Sequence, residues 1–123
     1  MVDILVIDDD DALRDTLRAI LEEGGYTVHE ARHGREGVAC CQARPIALVI
    51  TDLLMPEQEG LETIQTLRAL TPRPKVIAMS GGGQTGQLDF LKAASLLGAN
   101  RAFQKPLRAR DLLLAVQDLL AEI

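Results

Sequence analysis

The sequence predicts an α/β protein: one parallel sheet with helices on both faces. Three observations predict it. Short apolar runs alternate along the whole chain with stretches whose apolar residues recur at helical spacing. The alternation gives five strands and five helices with short connections, the pattern of a parallel sheet. Several of the apolar runs stop at a polar residue, where a strand end meets a loop. In such a sheet, ligands bind beyond the carboxyl ends of the strands, at the point where strand order reverses.

The elements follow in order. Ile4-Leu-Val-Ile7 is the first apolar run, and Asp8-Asp-Asp-Asp11 comes directly after it. Leu13, Leu17, Ile20 and Leu21 then mark a helix that Gly24-Gly25 ends. Asp10 and Asp11 read as the start of that helix, where acidic side chains meet the positive end of its dipole. Tyr26–Glu30 is a second strand, and 35–44 a helix with Val38 and Cys41 on one side. Ile46–Thr51 is a third strand, leading into Asp52, which is expected to face water from a rigid strand end. Pro56 stops regular structure, and Leu61, Ile64 and Leu67 mark a helix over about 59–70. Lys75–Met79 is a fourth strand, followed by Ser80 and Gly81-Gly-Gly83. A helix is expected over about 87–97, a fifth strand over Arg101–Gln104, and a last helix over about 108–121.

Composition narrows the function. The chain has 123 residues and a formal net charge of −5, enough for one domain over 1–123 and unfavourable for non-specific nucleic-acid binding. No apolar stretch is long enough to span a bilayer, and Met1-Val2-Asp3 does not begin like a secretory signal, so no membrane contact and a cytoplasmic location are expected. Cys40 and Cys41 are adjacent, with no metal spacing around them, and are expected to be free thiols. His29 and His33 read as surface residues, Met55 and Met79 as core filler, and Arg68, Arg73 and Lys75 as solvated surface. The glycine run lacks the Gly-Lys-Ser/Thr continuation of a phosphate-binding loop.

Polar residues that the strand ends bring together carry the chemistry. They are Asp8 and Asp9 after the first strand, Asp52 after the third, Ser80 after the fourth and Lys105 after the fifth. Carboxylates sharing a cleft repel, and a hard divalent cation removes the conflict. A carboxylate nucleophile, Mg2+, a lysine and a hydroxyl match the needs of phosphoryl transfer.

At Leu5-Val-Ile-Asp8-Asp9, Ile50-Thr-Asp52-Leu-Leu-Met-Pro56, Glu59-Gly60-Leu61, Ala78-Met-Ser80-Gly81 and Lys105-Pro106 the chain resembles the receiver domain of bacterial two-component response regulators, of the chemotaxis-receiver type. The resemblance spans the whole chain and implies a flavodoxin-like sheet of order 2-1-3-4-5. It implies that Asp52 accepts a phosphoryl group from the phosphohistidine of a histidine kinase or phosphotransfer protein. Asp9 then matches a direct Mg2+ ligand, Asp8 one that acts through water, and the Leu54 carbonyl a third protein ligand. Ser80 matches a hydroxyl that moves to meet the phosphoryl group, and Lys105 the lysine that pairs with one of its oxygens. The Lys105–Pro106 bond matches one that is cis. The domain would switch the binding of a downstream partner and act on no separate substrate.

Two departures bear on the switch. Ala102 stands where the family often places an aromatic residue, and strand alternation sends Phe103 to the opposite face. The loop Gly81–Gly86 is then expected to be the moving part in place of the aromatic. Leu54 cannot orient an attacking water, so slow self-dephosphorylation is expected, and an unchanged or longer phosphoryl lifetime in Leu54→Asn would contradict it. Three other functions fit less well. A phosphatase working through an aspartyl-phosphate would carry an acid at Leu54; a flavin carrier would not line its first loop with Asp8 to Asp11; a receiver acting without phosphorylation would not need the full Asp8, Asp9, Asp52, Ser80 and Lys105 set. The chain opens on Met and ends in its last helix, as either a stand-alone regulator or a fragment would.

Overall fold

The computed structural model describes residues 2–52, 59–80, 92, 95, 96, 98–105 and 108–122. Its strands are β1 (Asp3–Ile7), β2 (Thr27–Ala31), β3 (Leu48–Asp52), β4 (Lys75–Ser80) and β5 (Arg101–Gln104). Its helices are α1 (Asp11–Glu23), α2 (Gly34–Ala43), α3 (Glu59–Arg68) and α4 (Ala109–Ala121). The strands form one parallel sheet in the order β2-β1-β3-β4-β5, the flavodoxin-like arrangement. Most of the helix expected over about 87–97 lies outside the described residues; Lys92, Ser95 and Leu96, which are described, are helical.

The two faces of the sheet are separate apolar layers because side chains alternate along each strand. Ile4, Val6, Leu48, Ile50, Ile77 and Met79 meet Leu17 and Leu21 of α1 and Leu112, Val116 and Leu119 of α4. Leu5, Ile7, Val49, Val76 and Ala78 meet Ile64 and Leu67 of α3, with Val38 and Cys41 of α2 packed alongside. Every residue of β3 is buried, as a central strand covered on both faces must be. Phe103 packs on the first layer and Ala102 on the second, so the two do point to opposite faces.

Local chemistry sets the element ends. Asp10 caps α1, its carboxylate accepting from the Leu13 amide at 3.2 Å. The helix stops at Gly24, and Gly25 takes a φ of 95°, which favours glycine. Gly37 brings α2 against β1: a Cβ there would collide with the Ile7 side chain. The strands β2 and β3 run one residue later at their ends than the apolar runs suggest, and α3 ends at Arg68.

Several smaller expectations meet the structure here. Cys40 and Cys41 are free and half-buried, and burial pushes the Cys41 thiol up to about 11, so it stays a thiol at neutral pH. His33 is exposed and caps α2. His29 is not a plain surface residue: it is half-buried, 3.1 Å from Asp3 and 3.2 Å from Arg44, because the start of β1 and the end of α2 flank it. Lys75 is likewise half-buried and lies 3.7 Å from Glu122 at the end of α4. Met79 is core; Met55 lies outside the described residues.

Candidate functional site

The register of the sheet builds the site. Asp52, the last residue of β3, pairs with Met79, so Ser80 stands one residue beyond it on the next strand. Ser80 pairs with Gln104, and the Lys105 amide donates to the Ser80 carbonyl at 2.6 Å, which carries Lys105 onto the same edge. On the other side of β3, Asp8 follows Ile7, and its amide extends the ladder by donating to the Ala31 carbonyl at 3.1 Å.

The side chains converge. Oxygens of Asp8, Asp9 and Asp52 lie within 4.8 Å of one another, a group that can hold a metal ion. Lys105 Nζ is 3.2 Å from Asp8 Oδ2 and 3.3 Å from Asp52 Oδ2. Asp8 Oδ1 accepts from the Asp10 amide at 2.9 Å. Asp9 is exposed, but Asp8 is fully buried and Asp52 keeps 4% of its surface. That burial corrects the expectation that Asp52 faces water: the strand end is walled by its neighbours. Burial pushes the Asp8 carboxyl above the usual aspartate range; the Asp10 amide opposes it, the Asp52 charge adds to it, and Lys105 pulls back. Burial alone would lower the lysine, but the Asp52 and Asp8 charges outweigh it and hold Lys105 above its ordinary value, so it is a cation at neutral pH.

Ser80 Oγ is fully buried and has no hydrogen-bond partner among the described residues. A buried hydroxyl left so costs about 1–3 kcal/mol. Leu54, Pro106 and the loop 81–86 lie outside the described residues, and with them the third-ligand carbonyl, the expected cis bond and the expected moving part.

The sequence reading passed over Arg14. It lies on α1 at 8% exposure, and its Nη1 donates to the Asp8 carbonyl at 2.8 Å in a buried bond. The available signal was its spacing: Arg14, Leu17 and Leu21 form the buried face of α1. Leu13, Leu17, Ile20 and Leu21 do all pack on the core, but apolar spacing alone does not mark the arginine that shares their side of the helix.

A flavodoxin-like sheet with an acidic cleft and a lysine at its carboxyl edge defines the class: a doubly wound α/β protein with its candidate site at the strand ends. The family model for the response regulator receiver domain matches residues 4–117, and the chain belongs to that family. Among solved structures, it is similar to a CheY-like receiver domain protein of Methanospirillum hungatei, at 32% identity and TM-score 0.87 over 99% of this chain and 95% of that one. A receiver domain protein of Clostridium thermocellum gives 31% identity and TM-score 0.89, covering 99% and 96%. The transcriptional regulatory protein SrrA of Staphylococcus aureus is 29% identical over 118 residues, 96% of this chain and 47% of that protein. The chain thus spans about half the length of the curated relatives it matches.

Proposed function

We propose that this receiver is a cytoplasmic phosphoacceptor that takes a phosphoryl group onto Asp52 from the phosphohistidine of a histidine kinase or phosphotransfer protein, and so switches the binding of a downstream protein. The observation that carries the reading is the convergence of Asp8, Asp9 and Asp52 with Lys105, beside a buried Ser80 hydroxyl that lacks a partner among the described residues.

The donor set fits Mg2+: it is all carboxylate oxygen, without Cys or His, and holds more negative charge than Lys105 offsets. Asp8, Asp9 and Asp52 would hold the ion, with the Leu54 carbonyl assigned by resemblance alone. When bound, the ion supplies charge neutralisation for the carboxylates and the phosphoryl oxygens. The protein's residues do the rest. An Asp52 carboxylate oxygen attacks phosphorus in line, the P–N bond to the donor imidazole breaks, and its electron pair returns to that nitrogen. Lys105 leaves its pairing with Asp52 to meet a phosphoryl oxygen. Ser80 donates its hydroxyl to another, satisfying the buried group. The domain catalyses only its own phosphorylation and dephosphorylation, with no separate substrate.

Intact-mass measurement after incubation with a small phosphodonor and magnesium tests the reading. Wild type should gain the mass of one phosphoryl group and Asp52→Asn none. An equal gain in both would refute Asp52 as the acceptor, and no gain in either would refute phosphoacceptor function.

A further inference from the structure

The acidic cleft stands on a turn, and Arg14 holds that turn from behind. Strand β1 stops pairing at Asp8: the Asp8 amide still donates into the sheet, but its carbonyl turns toward α1 and takes its hydrogen bond from Arg14 Nη1 at 2.8 Å. The next residues are Asp9, whose carboxylate lies in the cleft, and Asp10, whose amide donates to Asp8 Oδ1 and whose side chain caps α1. Arg14 lies one helical turn further on, its own amide donating to the Asp10 carbonyl at 3.0 Å. These bonds close a loop from the Asp8 carbonyl through the guanidinium and the first turn of α1 back to the Asp8 carboxylate.

The guanidinium is itself fixed. Arg14 Nη2 donates to Asp11 at 2.6 Å and Nε to Glu30 at 3.1 Å. Glu30 pairs in register with Val6 on β1, and its other oxygen accepts from Arg18 at 2.7 Å. A planar fork that engages three groups from three directions holds its carbonyl partner in one place; a lysine, with one point charge, cannot.

We propose that Arg14 is a positioning residue for the divalent cation: by holding the Asp8 carbonyl it keeps the Asp8–Asp9 turn in the shape that aims both carboxylates into one site. It does so without touching the ion. This rests on the reading of the cleft as a magnesium site. Groups that orient metal ligands from behind typically alter affinity by about 10–100-fold.

Magnesium binding to the wild-type chain and to Arg14→Met, Arg14→Lys and Arg18→Met, measured by titration calorimetry, tests it, together with hydrogen exchange of the Asp10 amide in the magnesium-free proteins. Arg14→Met should bind magnesium about tenfold more weakly or worse, and its Asp10 amide should exchange faster. Arg14→Lys should recover part of the loss. Arg18→Met, which removes a bond to the same Glu30 without reaching Asp8, should bind as wild type does. Equal affinity in wild type and Arg14→Met overturns the proposal, as does an equal loss in Arg18→Met, which would mean that the ion-pair cluster acts only through stability. If Arg14→Met does not fold, Arg14→Lys decides: it keeps the charge and loses the fork, so affinity equal to wild type overturns the proposal. A wild-type chain that binds no magnesium overturns the magnesium reading and this inference with it.

Discussion

Two ionic clusters meet at Asp8, and they are built on opposite plans. In the cleft, Asp8, Asp9 and Asp52 face one cation among the described residues, Lys105. In the neighbouring belt, Asp11, Glu22 and Glu30 face Arg14, Arg18 and Arg32 at 2.6 to 3.5 Å. The titrations move in opposite directions. Burial and the Asp52 charge raise Asp8. The bond from Arg18, with help from Arg14, lowers Glu30, and the bond from Arg14 lowers Asp11. The belt satisfies itself. The cleft gathers three carboxylates around one lysine among the described residues, a surplus that a bound cation would offset.

The sharpest way to break this contrast is Lys105→Met. It takes the cation from between two buried carboxylates and should destabilise the magnesium-free protein by about 2 kcal/mol at neutral pH, less than a fully buried pair because Nζ remains partly exposed. Urea unfolding with and without magnesium checks it, and the loss should shrink when the ion is present.

Next comes a pair of substitutions expected to act with opposite sign. Asp8 holds its proton more tightly in the folded chain, so its contribution to stability is present at low pH and is lost as pH rises through its folded value. Asp8→Asn removes that loss and should raise the unfolding midpoint of the magnesium-free protein at neutral pH by a few degrees, about what 1 kcal/mol produces at this size. Glu30 holds its proton less tightly, so its contribution is present above the ordinary glutamate range and is lost as pH falls through its folded value. Glu30→Gln should lower the midpoint slightly at neutral pH, by about 1 kcal/mol or less, and should flatten the acid side of the profile. Midpoints measured across pH would contradict the comparison if both substitutions moved them the same way.

Much of this was legible in the chain itself. Asp8, Asp52 and Ser80 each close a short apolar run, and Lys105 follows the last one, so strand ends alone bring them to one edge. Parallel register then does what no local pattern describes: it sets Ser80 one residue past Asp52 and ties the Lys105 amide to Ser80. The burial of Asp52 was not legible, because exposure at a strand end depends on what neighbouring strands bring beside it. Nor was Arg14. Helical spacing marks a face by apolar residues, and a cation on that face is noticed only when its partner, here a backbone carbonyl, is known.

The bare backbone of Gly37 adds one consequence. Helix α2 rests there directly on Ile7, the residue before Asp8, while Arg14 grips Asp8 through its carbonyl. The near bank of the cleft is thus wedged between two helices and has little room to yield. On the far bank, β5 is an edge strand, half-buried at Ala102 and Phe103 and open to water at both ends. The sheet is therefore gripped more firmly on the β1 side of Asp52 than at its β5 edge.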